Sequence, residues 1–200
     1  MKLHVLLSLF VVPLIGPTSA VSQASNSSQA TSATASQSSK WTEADKKGLL
    51  AKAQHGDTGA QFWLGAAYEQ GWFGKADFQE ALKWLRRAAK RGNPDAQNDL
   101  GHMYEDGEGV PQNYAQAAKW YRRAAEHVPD LGGAGQGRNN LGMLYMNGFG
   151  VPKDYVQAYM WFRLAHSDAN LSYAKSQMNP AQISKAERMA AEWTTHRSER

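Results

Sequence analysis

The sequence contains no cysteine. This absence excludes disulfides, cysteine-ligated zinc, iron–sulfur clusters, thiol catalysis and a bacterial lipoprotein anchor. Proline is also scarce, at 7 of 200 residues, which favours helices because proline breaks them. The formal net charge is only +4, and removal of Lys2 would lower it by one. Such a mild charge, without a clustered basic patch, argues against nucleic acid as a partner.

Long apolar runs are missing except at the start of the chain. Residues 1–20 have the pattern of a secretory signal peptide, with Lys2, an apolar run over 3–15 and small residues at 18–20. The run is shorter than the ~20 apolar residues that a membrane-spanning helix needs. We therefore expect export to the periplasm or the exterior, without stable membrane insertion of the mature chain. An uncleaved anchor is the alternative.

Residues 21–40 consist almost entirely of serine, alanine, glutamine and threonine. Such a segment has too few apolar side chains to offset the entropy lost on ordering, so it is predicted to be a disordered spacer. The folded domain is then predicted to cover 41–200.

Within that domain a 36-residue unit recurs three times, at 56–91, 92–127 and 133–168. Fifteen of the 36 positions are identical between the first two units, and fifteen between the second and third, without a gap. Self-similarity at a period of roughly 20–50 residues is typical of a solenoid of stacked repeats.

Each unit is predicted to form two helices. On the first helix a leucine and a tyrosine four residues apart share one face, in the pairs Leu64 with Tyr68, Leu100 with Tyr104 and Leu141 with Tyr145. A glycine three residues after the tyrosine can end this helix in a left-handed conformation, at Gly71, Gly107 and Gly148. Candidate N-caps of the second helix follow at Asp77, Asn113 and Asp154.

The second helix carries tryptophan between alanines on its inward stripe, as Ala81, Trp84 and Ala88, then Ala117, Trp120 and Ala124, then Ala158, Trp161 and Ala165. A glycine follows each repeated leucine, at Gly65, Gly101 and Gly142, and predicts a close approach of two helix backbones. In the third unit, glycines at 133, 135 and 137 predict a first helix that begins late or frays.

A single hairpin cannot bury its apolar face alone, so the ends of the stack need caps. We expect an N-terminal cap over 41–55, with Trp41 packed beside it, and a C-terminal cap over 169–197. Ile183, Met189 and Trp193 are available to cover the last unit. The fold class is therefore predicted to be all-α, a right-handed α-solenoid of stacked helix hairpins with about nine helices.

The repeated pattern, which in the second unit runs from Ala96-Gln97 through Leu100-Gly101 and Tyr104 to Val110-Pro111 and Trp120, resembles the Sel-one-like repeat. That family is related to the tetratricopeptide repeat. The segment from Met178 to Trp193 is similar to the terminal helix pair of exported bacterial members. The first unit departs from the pattern, because Trp72-Phe73-Gly74-Lys75 replaces the Glu108–Pro111 turn. The resemblance implies protein–protein interaction, as in adaptors, periplasmic regulators, host-factor binders and immunity proteins.

A search for reactive groups yields little. The histidines lack metal-chelating spacing with a supporting third ligand, so no metal or cofactor is expected. Ser172 and Lys175 fit the S-x-x-K spacing of penicillin-interacting enzymes, but the companion motifs are missing. We expect no enzymatic activity, and keep a cell-wall-active hydrolase as the weaker alternative.

Partner recognition is expected on the face of the first helices that the core does not use, on the concave side of the solenoid. The candidate residues are Phe62, Trp63, Glu69, Asn98, Asp99, His102, Glu105, Asn139, Asn140 and Met143. Trp72 and Phe73, in the adjacent turn, are candidate loop anchors. Exposed aromatic residues often anchor interfaces, but these rings could instead contact the N-terminal cap.

Basic side chains recur on the outer side of the second helices, at Lys83, Arg86, Arg87, Lys90, Arg91, Lys119, Arg122 and Arg123. A solvated outer face explains them. Weak binding to an anionic envelope surface, either glycan or lipid, is the alternative function.

Overall fold

A computed structural model describes residues 41–127 and 132–198. Within these residues the chain forms no strand and nine α-helices: α1 (Glu43–Gln54), α2 (Thr58–Glu69), α3 (Phe78–Lys90), α4 (Pro94–Asp106), α5 (Tyr114–Ala125), α6 (Gly133–Asn147), α7 (Tyr155–Leu164), α8 (Asp168–Ser176) and α9 (Pro180–Ser198). The all-α solenoid of helical hairpins is confirmed. The predicted signal peptide, 1–20, and spacer, 21–40, lie outside the described residues.

The helix ends follow from the residues that cap them. Thr42 and Asp45 form a capping box before α1, in which the Thr42 backbone N–H donates to Asp45 Oδ2 at 2.8 Å. The predicted caps Asp77, Asn113 and Asp154 each accept from a backbone N–H of the helix that follows, as in the 3.0 Å bond from Glu80 N. The predicted caps of the second helices are therefore confirmed.

The left-handed glycines are also found where the repeat predicts them. Gly107 ends α4 with φ 78°, and Gly148 ends α6 with φ 77°. In the first repeat Gly71 has φ 67° but lies one residue after the C-cap, Gln70. The chain can turn sharply at these positions because glycine has no side chain to clash in this conformation.

The glycines on the first helices face a side chain of the second helix, and at Gly65 the backbone N of Leu85 is also close, at 3.1 Å from an added methyl group, as the predicted close approach of two backbones requires. A methyl group on Gly65 would lie 2.6 Å from Leu85 Cγ, and one on Gly142 would lie 2.6 Å from Phe162 Cε1. Gly101 faces the Tyr121 ring in the same way. Leu85, Tyr121 and Phe162 are fully buried, each directly after the repeated tryptophan. These residues, which the sequence patterns missed, pack the second helix of each hairpin against the first.

The tryptophan stripe is only partly as predicted. Trp84 and Trp161 are buried, but Trp120 is half-buried and Ala165 is the half-buried C-cap of α7. Trp120 packs against the cluster that contains Leu85 and Leu100, so it joins the first repeat to the second. Full burial of a large apolar side chain contributes roughly 1.5–3 kcal/mol, so the buried tryptophans help to stabilise the stack.

One polar position joins consecutive hairpins. Gln61 and Gln97 each donate through Nε2 to a carbonyl in the last turn of the preceding helix, Ala53 O and Ala89 O, both at 3.0 Å. Arg138 holds the same place in the third repeat and donates through Nε to Ala125 O at 3.0 Å. Each bond therefore ties the first helix of a repeat to the helix before it.

The expectation that the first helix of the third repeat begins late is wrong. Helix α6 begins at Gly133 and has 15 residues, three more than α2. Its glycines allow the early start because they remove clashes with neighbouring helices. A methyl group on Gly137 would lie 2.7 Å from Ala124 Cβ, and one on Gly133 would lie 2.7 Å from Asp95 Cα.

The C-terminal cap consists of two helices, α8 and α9. Ile183, Met189 and Trp193 on α9 are half-buried and pack against the clusters of the third repeat, as predicted. Trp193 meets Trp161 edge-on, with 6.1 Å between ring centroids. None of the helices in the described ranges combines the length and apolar character needed to cross a membrane.

Candidate functional site

The candidate residues lie mostly on the first helices α2, α4 and α6, and we call the side of these helices that carries them the first-helix face. At its N-terminal end is an aromatic cluster. Trp63 is 50% exposed and stacks on Trp72, with 6.3 Å between centroids. Trp72 in turn stacks on Trp41 at 5.5 Å, and Phe73 meets Trp41 edge-on at 6.0 Å. The rings therefore form one continuous stack from α2 to the start of α1.

This stack bears on whether the aromatic residues contact a partner or the N-terminal cap. Trp72 and Phe73 contact Trp41, beside the cap helix, and are half-buried. Phe62 is half-buried too and packs against the core cluster of Leu82 and Leu85. Trp63 alone among these four predicted residues is half exposed to solvent. It is thus the aromatic side chain of this end that a partner could reach.

The middle of the first-helix face is acidic. Burial, together with the nearby carboxylates of Asp99, Glu108 and Asp106, raises the pKa of Glu69 to about 8. Burial likewise raises the pKa of Asp99 to about 6, with Asp95 adding to the rise and a hydrogen bond from Asn98 opposing it. These carboxyl groups share one poorly solvated area, where each disfavours the negative charge of the next.

A chain of hydrogen bonds connects the second repeat to the third. Tyr121 Oη donates to Glu105 Oε2 at 2.6 Å and lies 3.0 Å from His102 Nδ1. The other ring nitrogen, His102 Nε2, lies 3.1 Å from Asn140 Nδ2. Asn140 Nδ2 also donates to Asn98 Oδ1 at 3.0 Å. The chain thus links α4, α5 and α6.

The direction of each bond in this chain follows from the available protons. Burial raises the pKa of Tyr121 well above its usual range, so its hydroxyl keeps the single proton that it donates to Glu105. His102 Nδ1 must then donate to the Tyr121 oxygen, and His102 Nε2 must accept from Asn140.

Near this chain an open pocket of about 470 Å³ separates α4, α6 and the turn between α7 and α8. It is lined by His102, Gly135, Gln136, Asn139, Asn140, Ala165, His166, Ser167 and Asn170. His166 has φ 53°, a left-handed conformation uncommon for a residue with a side chain. We call this cavity the amide pocket, because four of its lining side chains are asparagine or glutamine.

The structure brings some predicted site residues together and removes others from the surface. Asn139 and Asn140 line the amide pocket beside His102, and Glu105 joins the same chain of hydrogen bonds. Asn98 is only 2% exposed, so the expectation that it lies on the surface is wrong. It is buried because it bonds to Asn140 and to Gln136. Met143 is half-buried against the third-repeat cluster that also contacts Leu171.

Sequence reasoning missed His166 and Asn170 as neighbours of the predicted residues, whereas the repeat places Gln136 on the same face of the first helix as Asn139 and Asn140. Asn170 Nδ2 donates to Asn139 Oδ1 at 2.9 Å across 31 positions of sequence. No repeat period relates these residues, because Asn170 belongs to the cap. Of these residues, only Gln136 can be placed on this face from the repeat alignment, since it occupies the position of Asp95 in the second unit.

Four arginines of the second helices contact tyrosine and tryptophan side chains of the protein itself. Arg86 donates to Tyr104 Oη at 3.0 Å and Arg122 to Tyr145 Oη at 2.6 Å, so each arginine bonds to the following repeat. Arg87 stacks on Trp84, and Arg123 on Trp120, at 4.6 and 4.5 Å. Structural contacts therefore account for these four arginines.

The S-x-x-K pair lies on α8, where Ser172 and Lys175 are both exposed. In residues 41–127 and 132–198 there is no group of three or more histidine, aspartate or glutamate side chains arranged to hold a metal ion.

The stacked hairpins define a helical repeat protein of the solenoid class. So does the polar position shared by Gln61, Gln97 and Arg138, which we call the joint position. The family model described as Sel1 repeat matches residues 58–93, 94–127 and 136–165. The chain therefore belongs to the Sel1 repeat family, whose members are generally protein–protein interaction scaffolds without enzymatic activity. No curated protein matches the chain.

Two solved structures are similar to this chain. A Sel1 repeat protein from Oxalobacter formigenes is 35% identical, with a TM-score of 0.53 over 74% of this chain and 98% of the other. A protective antigen present in uropathogenic Escherichia coli strains, which displays the SLR fold, is 42% identical with a TM-score of 0.56. That match covers 62% of this chain but only 25% of the antigen, so this chain spans about a quarter of its length.

Proposed function

We propose that the chain is a non-enzymatic scaffold that binds a partner protein on its first-helix face. Membership of the Sel1 repeat family supports the general role. The observation that supports this face is Trp63, a large ring that is half exposed and held in place by stacking on Trp72. A ring already fixed loses little freedom on docking, so it is suited to anchor an interface.

The rest of the face supports the same proposal. Next to the aromatic cluster lies the acidic area around Glu69 and Asp99, followed by the amide pocket. Apolar, acidic and neutral polar groups follow one another along this side and can together recognise one extended partner. The arginines of the second helices, by contrast, are engaged within the fold, so we do not place the binding surface there.

Export is part of the proposal. The apolar run at the start of the sequence and the small residues at 18–20 are typical of a secretory signal, and the absence of cysteine is compatible with a domain of this size outside the cytoplasm. The partner is then an envelope or extracellular protein.

The test is affinity capture from the envelope fraction of the native host with the full chain as bait. Trp63→Ala should lose most of the captured protein, while the melting temperature stays near that of the wild type because the ring is half exposed. Tyr173→Ala is the matched control, since Tyr173 is 54% exposed on the C-terminal cap. Equal capture by the wild type and both variants would contradict the proposal.

A further inference from the structure

We infer that the exposed cations of α3 and α5 bind the surface of a membrane that contains anionic lipid. This surface is separate from the first-helix face, and the inference goes beyond the proposed function without depending on it. We call these side chains, all of which are exposed, the basic patch: Lys83, Arg87, Lys90, Lys119, Arg122 and Arg123.

The two layers of the stack differ in charge. Helices α3 and α5 carry seven lysines and arginines and one acidic residue, Glu80, while Glu126 follows as the C-cap of α5. The first helices α2, α4 and α6 carry five acidic residues and one basic residue, Arg138, which is buried. The positive charge of the repeats is therefore concentrated on the second helices.

The basic patch covers the first two repeats. Each cation of α5 lies 36 positions after a cation of α3, namely Lys119 after Lys83, Arg122 after Arg86 and Arg123 after Arg87. Along α3, the seven positions from Lys83 to Lys90 correspond to about 10 Å of helix. In the third repeat Met160 and Leu164 replace Lys119 and Arg123 and pack in the cluster that includes Trp193. Cations spread over two helices fit an array of many phosphates better than one small anion.

The contacts of these arginines within the fold leave their charge in place. The guanidinium carbons of Arg87 and Arg123 lie 4.6 and 4.5 Å from the ring centroids of Trp84 and Trp120. Tryptophan is neutral, and stacking uses the flat face of the guanidinium, so the N–H groups at its edge can still donate to phosphate oxygens. Because the stacked side chains are already ordered, they lose little freedom when a membrane binds.

The lysines of the patch are also available to an anionic surface. In the described ranges one ion pair is present, between Lys83 Nζ and Glu80 Oε1 at 2.8 Å, so Lys90 and Lys119 have no carboxylate partner there. Each lysine or arginine close to an anionic membrane strengthens binding by roughly fivefold. Several of them together can hold the protein on the surface without an inserted helix.

The same charge distribution sets an orientation. Helices α4 and α6 pack against each other, and α5 packs on both, so first and second helices form two layers. An anionic membrane attracts the second helices and repels the acidic first helices. The bound protein therefore turns its first-helix face away from the lipid, where a partner can reach it.

The test is co-sedimentation of the full chain with lipid vesicles. One set contains phosphatidylcholine alone, and the other also contains phosphatidylglycerol at about 30%. At about 50 mM salt we expect binding to the anionic vesicles to be at least about tenfold stronger, and to weaken by about tenfold at about 300 mM salt because of screening. The apolar run at 3–15 is present in every sample, and binding through it would appear on the neutral vesicles too. Soluble alginate, an anionic polysaccharide, is the third probe.

The decisive variant combines Lys90→Glu with Lys119→Glu. Both side chains are exposed, and binding to the anionic vesicles should fall by about tenfold or more. Lys52→Glu with Lys175→Glu makes the same change in net charge at exposed positions of α1 and α8, and at about 100 mM salt it should stay within about twofold of the wild type. Melting temperatures show whether both variants are folded.

Three results would overturn the inference: equal or no binding to the two vesicle types, equal losses in the two double variants, or binding to alginate without binding to vesicles. The proposed function fails separately. Trp63→Ala should bind vesicles like the wild type, and Lys90→Glu with Lys119→Glu should still capture a partner protein from a detergent-solubilised envelope fraction.

Discussion

The Tyr121 hydroxyl lies 2.6 Å from Glu105 Oε2 while its ring packs on Gly101. One residue therefore packs the two helices of the hairpin together and positions a side chain of the first-helix face. The ring belongs to the core of the second repeat, and the hydroxyl begins the chain of hydrogen bonds through His102 to Asn140. Packing and site geometry are therefore coupled at this position.

Tyr121→Phe separates the two roles. The ring stays, but Glu105 and His102 lose a buried partner, and we expect the free energy of unfolding to fall by about 1–3 kcal/mol. Chemical denaturation measures the loss. The matched control is Tyr173→Phe, at an exposed ring, which should change stability by less than about 0.5 kcal/mol. Similar stability of the two variants would show that the chain of bonds contributes nothing.

Two glycine-to-alanine changes should have opposite effects. At Gly101 the added methyl group meets the Tyr121 ring, and overpacking of this kind costs about 1–3 kcal/mol. At Gly48, within α1, the methyl group meets nothing within 4 Å, so the higher helix propensity of alanine should stabilise the protein by about 0.5–1 kcal/mol. Thermal or urea unfolding gives both values. Two losses of equal size would contradict the packing described.

Stability should depend on pH through Glu69. Its pKa in the fold is about 8, above the ordinary value of 4.5, so the folded state binds a proton that the unfolded state has released between these pH values. The stabilising contribution is fully present below pH 4.5 and is lost as the pH rises towards about 8. Across this pH range, the free energy of unfolding should decline less in Glu69→Gln than in the wild type. Parallel curves would disprove the shifted pKa.

Asp99 should act in a lower pH window. Its pKa of about 6 is also raised, from 3.8, so its contribution is lost as the pH rises from 3.8 towards 6. Asp99→Asn removes that decline, and it should also bring the pKa of Glu69 closer to the ordinary value because one neighbouring carboxylate is gone. The Glu69 titration, followed by NMR in the variant, would refute the coupling if its midpoint did not move down.

Arg138 should be important for the joint between the second and third repeats. It is 3% exposed and donates to the carbonyls of Ala125, His127 and Leu164. Arg138→Met leaves these acceptors without the cation, and we expect a loss of about 3 kcal/mol or more in denaturant unfolding. Arg163→Met, at an exposed position of α7, provides the comparison and should change stability little. A small effect at both positions would mean that the joint does not hold the repeats together.

The sequence predicted the features that recur with the 36-residue period. Caps such as Asp77 and glycines such as Gly107 were found because their causes are local and repeat in each unit. The late start of α6 was a wrong prediction, because local propensity disfavours glycine in a helix whereas close packing against α4 and α5 requires it. Tertiary contact prevailed over propensity there.

The candidate site was less predictable. The helical period placed Asn98 on the exposed, concave side of the first helices, yet it is buried and bonds to the next repeat. The pairing of Asn139 with Asn170 depends on how the cap folds back, which no repeat pattern contains. By contrast, the joint position was visible in principle, since Gln61, Gln97 and Arg138 align and each carries a long polar side chain.

The central claim is that a partner protein docks on the first-helix face. Hydrogen–deuterium exchange of the full chain, alone and in complex with the protein captured through Trp63, tests it most directly. The account predicts slower exchange in α2, α4 and α6 and in the turn at Trp72, with little change in α3 and α5. Protection confined to α3, α5 and their arginines would contradict it.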